Sequence, residues 1–167
     1  MISEAAIAPG EGSLVTDNAV VFACFESGGR LYGVDVLQIR EIVRSCEVTP
    51  LPRAPELIEG VVDLRGAVIP VIDLARALTG RPAKETAATR IAVLEVEGMA
   101  VGLRVEAAVD VLSVDGSAIG SPPALATQAG YDAVRAVVRR PDATPVLVLS
   151  LEHLLESLYR SALEGRS

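Results

Sequence analysis

Gly60-Val61-Val62-Asp63-Leu64-Arg65-Gly66-Ala67-Val68-Ile69-Pro70-Val71-Ile72-Asp73-Leu74 reads as two apolar strands folded back on one another. Val61-Val62 and Val68–Ile72 supply the strands, and Asp63-Leu64-Arg65-Gly66 supplies the turn between them. Gly66 can take a positive φ at low cost. Arg65 brings a rigid five-donor fork to the same turn, suited to backbone carbonyls or a carboxylate. It can staple the fold, contact a partner, or do both.

Working outward, the hairpin closes the first half of an internal echo. Sliding the chain by 69 residues lays Phe22-Ala23-Cys24-Phe25-Glu26 on Ile91-Ala92-Val93-Leu94-Glu95. In the same register Gly29 meets Gly98, and Leu31-Tyr32-Gly33-Val34 meets Ala100-Val101-Gly102-Leu103. Glu41-Ile42-Val43 meets Asp110-Val111-Leu112. Each half thus opens with a strand, a glycine turn and a returning strand. The halves also end alike, on Pro70–Leu74 and Pro145–Leu151, each followed by a short helical run at Ala75–Leu78 and Glu152–Tyr159.

The composition agrees with a mainly β protein. Half of the 167 residues are apolar but only 3% are aromatic, and 10 prolines and 14 glycines punctuate the chain. The abundant valines favour pleated surfaces. A module of about 65 residues is marginal alone, and small sheets hide their edges by curling, so two packed barrels are expected. The expected division is a flexible tail over 1–18, a first barrel over 19–82, a second over 83–155, and a helix end and tail over 156–167.

The formal charge of −7 disfavours nucleic acid, which would need a basic patch. Arg139-Arg140 reads as ordinary surface charge. Cys24 lies inside an apolar run and reads as a buried small hydrophobe; Cys46, 22 residues on, forms no CxxC with it. The start lacks the features of a signal peptide, and no run approaches the roughly 20 apolar residues a membrane helix needs. Cytoplasmic location is the expectation.

Catalytic constellations are hard to find. The single histidine, His153, falls on an amphipathic run and reads as a surface residue. No HExxH, GxSxG, P-loop or GxGxxG occurs. Glu95 and Glu97 read as solvent-facing rather than as an acid–base pair. The expectation is no catalysis, no cofactor and no metal.

The combined motifs resemble the CheW family of chemotaxis coupling proteins. Its central signature is similar to Gly60–Leu74, its YGIDV stretch to Tyr32-Gly33-Val34-Asp35-Val36 with Ile39 and Glu41-Ile42, and its P..P..I.G approach to Pro52–Gly60. Thr89–Val96 and Val101–Val105 match later segments, and Pro122-Pro123 and Tyr131 fall at familiar places. The resemblance implies two five-stranded SH3-like barrels with short helices and a C-terminal helix. It implies a non-enzymatic adaptor between the cytoplasmic tips of chemoreceptors, in a groove between the barrels, and the regulatory domain of a CheA-type histidine kinase. Such a protein would be recruited to receptor arrays at the inner face of the membrane. Carried over by position, partner contacts fall on Ile39, Glu41, Arg65, Ile91, Gly102 and Val111. For Ile39 and Val111, exposed anchor and core residue both remain open.

Several positions depart from the family pattern. Asp63 stands where Asn is usual, Glu106 where Asp is common, Val134-Arg135 in place of Gly-Val, and Ser150 in place of a frequent Asp. The stretch Arg139–Pro145 resembles an insertion. The second half has therefore drifted further, and a paralogue that binds receptors without engaging the kinase is the alternative.

Overall fold

In a computed structural model, the structure describes residues 19–122, 133–141 and 143–156. The expected tail at 1–18, all but the first residue of the expected helix end and tail at 156–167, and Tyr131 lie outside the described residues. The chain runs β1 (Ala19–Ser27), β2 (Arg30–Asp35), β3 (Ile39–Arg44), β4 (Ile58–Leu64), β5 (Ala67–Asp73), α1 (Leu74–Thr79), β6 (Arg90–Val96), β7 (Met99–Val105), β8 (Ala107–Asp115), β9 (Ile119–Gly120), β10 (Val134–Val138) and β11 (Val146–Leu149). Residues 151–156 begin a helix. The mainly β expectation and both short helices hold.

Two sheets form, ordered β8-β1-β2-β11-β10-β9 and β3-β6-β7-β5-β4. The echo found in the sequence maps β1-β2-β3 onto β6-β7-β8 and β4-β5 onto β10-β11, so the two sheets share one strand order. Each sheet, however, draws on both halves. The β1–β2 hairpin sits on β8–β11, and the β6–β7 hairpin sits on β3–β5. The boundary expected between residues 82 and 83 lies between two strands of one sheet, β5 and β6. The halves are related but interlaced, each lending its first hairpin to the other.

Both sheets close. Beyond β3 the chain bends so that Thr49 pairs with Val61 of β4, each N–H donating to the other's carbonyl at 2.8 Å. Gly60 makes that approach possible, since a Cβ there would lie 2.2 Å from the Thr49 carbonyl oxygen. In the other sheet β8 turns through a single 3-10 turn at Gly116–Ala118 into β9, which pairs with β10. We call the barrel built on β8–β11 barrel A and the other barrel B.

Among the described residues, three apolar clusters form. Phe22, Cys24, Leu112, Val138, Val146 and Val148 pack inside barrel A. Val62, Ile69, Val71, Ile91 and Val93 pack inside barrel B. The largest cluster lies between them and includes Phe25, Tyr32, Val34, Leu74, Leu94, Leu103 and Leu149. Strands β1 and β6 thus bury both faces, which is why Val20–Phe25 and Ile91–Leu94 read as unbroken apolar runs. Cys24 is buried as expected, and burial pushes its thiol up to about 11.

Candidate functional site

The β4–β5 turn positions Arg65. Leu64 pairs with Ala67, and Arg65 and Gly66 both take positive φ, 53° and 85°. This is the twist a two-residue hairpin turn requires. Gly66 accepts it freely, whereas a non-glycine residue there costs roughly 1 kcal/mol. Asp63 steadies the turn, its Oδ1 accepting from the Gly66 N–H at 3.0 Å.

Across the mouth of barrel B, Arg65 forms a close ion pair with Glu41 of β3, Nη2 to Oε1. Glu41 reaches that mouth because of a bulge. β3 pairs with β6 as Ile39↔Leu94 and then Glu41↔Val93, leaving Arg40 as the extra residue. Ile39 therefore faces the cluster between the barrels, while Glu41 and Val43 turn toward the interior of barrel B. A single 3-10 turn at Val36–Gln38 leads into the strand. Glu41 and Val43 lie on one face of the strand.

The same bulge recurs 69 residues later. β8 pairs with β1 as Ala108↔Phe25 and Asp110↔Cys24, leaving Val109 as the extra residue. Val109 and Val111 are each 46% exposed on β8, so Val111 takes the surface reading rather than the core one.

The six sequence-selected residues thus divide. Glu41 and Arg65 come together, with the Arg65 side chain 77% exposed, and Val111 lies on the surface of the other barrel. Ile39 is half-buried against the central cluster. Ile91 is fully buried inside barrel B, and Gly102 is buried where a Cβ would meet Ile91 Cγ2 at 3.0 Å and Val71 Cγ2 at 3.3 Å. Both side-chain positions therefore lie beneath the surface of the closed barrel.

Among the described residues, the two most exposed large apolar side chains were missed. Leu37, 89% exposed, tops the turn by which the chain crosses from barrel A to barrel B. Val68, 65% exposed, lies just beyond the Arg65 turn. Its outward phase was available from alternation with inward-facing Ile69 and Val71.

A second polar cluster lies in a cleft of about 420 Å³ lined by α1, β4, β7 and the 82–85 segment. Arg104 Nε stands 3.1 Å from Glu59 Oε1, and Nη1 makes a close contact with Glu85. Burial raises the Glu59 carboxyl above its ordinary value, and Arg104 opposes that shift. Glu85 is held below its ordinary value by a hydrogen bond from Ser45, with Arg104 adding to it. Among the described residues no helix is long and apolar enough to cross a membrane.

Comparison with known proteins adds the family. The CheW-like domain matches residues 22–159. The chain is 30% identical over 147 residues to the chemotaxis protein CheW of Treponema pallidum, covering 86% of each. It is 34% identical over 130 residues to the probable chemotaxis protein CheW of Rhizobium etli, covering 78% of this chain and 83% of that one. Its fold is similar to that of the scaffolding protein TtCheW from Thermoanaerobacter tengcongensis, with a TM-score of 0.73 and 31% identity over 81% of this chain and 86% of that one. With two interlaced barrels and this match over most of its length, the chain belongs to the CheW-like domain family.

Proposed function

We propose that the chain is a non-catalytic adaptor coupling the cytoplasmic tips of chemoreceptors to the regulatory domain of a CheA-type histidine kinase. The observation that carries this is the family match over residues 22–159, whose relatives are named chemotaxis proteins and whose solved neighbour is named a scaffolding protein. The surface supports the reading. Glu41, Arg65 and Val68 set a charged pair beside exposed apolar surface on barrel B, and Val109 and Val111 do the apolar part on barrel A. Leu37 adds an apolar point at the junction of the barrels, where a receptor tip would lie. Ile91 and Gly102 act beneath this surface by keeping barrel B in shape. The protein works by geometry: one partner on each surface raises the effective concentration of the other. Its place is the cytoplasm, at receptor arrays.

The test is affinity capture of the full chain with the regulatory domain of a cognate kinase and, separately, with a receptor cytoplasmic fragment. Binding to both is expected. Retention by the receptor alone would replace this reading with that of a receptor-binding paralogue, and retention by neither would overturn it.

A further inference from the structure

The two halves of the chain hold one another firmly, while the stretch that joins them is held by little. Among the described residues, four strand pairings link the halves: β1–β8, β2–β11, β3–β6 and β5–β7. The central apolar cluster is shared in the same way. Phe25, Tyr32, Val34 and Leu74 of the first half pack with Leu94, Leu103 and Leu149 of the second. The connecting residues 80–88 take no part in that core, all being exposed except half-buried Ala83.

Consecutive residues of the connection are fastened to opposite halves. The Ala83 N–H donates to Asp73 Oδ2 at 2.9 Å, and the Lys84 N–H donates to Glu106 Oε2 at 3.4 Å. Glu85 pairs with Arg104, also of the second half. Opening the connection loses a few polar contacts, for which water substitutes at small net cost. The strand pairings and the shared cluster do not depend on which copy of the chain supplies each half.

We propose that the chain forms a dimer with a second copy of itself by exchanging halves: residues 80–88 extend, and the first half of each copy packs on the second half of the other. A short flexible linker gives the halves of one chain an effective concentration on the order of millimolar. Dilute chain is therefore closed on itself, and exchange competes as the local concentration approaches that value. In each barrel B of the dimer, Glu41 and Arg65 come from one copy and β6 and β7 from the other. The second copy thus completes the surface of the adaptor reading. The dimer does not depend on that reading, and its assay involves neither receptor nor kinase.

Lys84 makes an exchanged dimer distinguishable from a pair of closed chains. It is the only lysine in the sequence, it is exposed, and it sits in the connection. The full chain is unfolded in guanidinium and refolded at about 1 mM and at about 10 μM, the former then being diluted to the latter. Sedimentation velocity reads the mass before and after cleavage by a lysine-specific endoproteinase. Monomer is expected from the dilute refolding. From the concentrated one a dimer fraction is expected that persists on dilution, since release requires all four pairings to open. Cleavage after Lys84 should halve the mass of that dimer with circular dichroism unchanged, because it cuts both chains where they cross between the two lobes. The cleaved monomer should keep its mass. A dimer that separates on dilution, or that survives cleavage, is an association of closed chains and would overturn the proposal. So would monomer alone from the concentrated refolding, or halves of the cleaved monomer that drift apart.

Discussion

Arg65 illustrates a conflict between stability and contact. Its left-handed backbone, φ 53°, is strained for a residue with a Cβ, while its exposed guanidinium gains little stability from Glu41. Asn tolerates that conformation better than Arg. Arg65→Asn should therefore leave stability within about 0.5 kcal/mol of native or raise it, and should still weaken partner binding. Chemical denaturation with an affinity measurement checks both. Ile39 and Val111 test the reverse. Ile39→Asp drives a charge against the central cluster and should cost about 2–3 kcal/mol, whereas Val111→Asp should cost less than about 0.5 kcal/mol and act on binding. The exposed fork of Arg65 and the turn around Gly66 were legible in the sequence. The strain at Arg65 was not, because nothing in a turn's composition fixes which residue takes the positive φ. Ile91 could not be recognised as core either: in an unbroken apolar run, periodicity gives no phase.

Among the elements, β4, β7 and the segment leading to β6 meet at Arg104, and their two carboxylates respond to pH in opposite senses. Glu85 has its value lowered in the folded protein, so its contribution is present above the unfolded value of 4.5 and is lost as pH falls through the folded value. Glu59 is raised, so the folded state prefers it protonated. Its burial is without penalty below 4.5, and the cost appears as pH rises from there through the folded value. Glu85→Gln should therefore destabilise near neutral pH and lose that effect in acid. Glu59→Gln should be stabilising, or less destabilising than Glu85→Gln, near neutral pH, with that advantage gone at low pH. Thermal unfolding of both variants from about pH 3 to 7 decides it. Such a cluster is hard to find from sequence, since Glu59, Glu85 and Arg104 lie far apart in the chain and form no motif.

For the whole molecule, the internal echo was visible because β1-β2-β3 and β6-β7-β8 repeat glycines and apolar positions in one register, down to the extra residues Arg40 and Val109. The interlacing was hidden. Local pattern shows that β1 buries two faces but not whose strands cover them, and a hairpin can dock on its own half or on the other with the same alternation. The interlaced arrangement predicts that fragments 1–82 and 83–167 will not fold separately, because each contains a hairpin whose sheet is on the other. Mixed together, they should recover a single cooperative transition. Independent folding of either fragment, followed by circular dichroism, would contradict this.

That lending of hairpins also sets a timetable. β2 finds its parallel neighbour where Gly33 meets Val148, near the far end of the chain. At ribosomal speeds of about 5–20 residues per second, β1 and β2 emerge and then wait on the order of ten seconds for β11. Through that interval the sheet edges and apolar faces of the first hairpin have no permanent neighbour, the condition under which nascent strands recruit chaperones or one another. Refolding of the intact chain should be correspondingly slow, in the millisecond-to-second range typical of non-local β pairing, as stopped-flow dilution from denaturant would measure. The protein is thus fully assembled only once its last strand has been made.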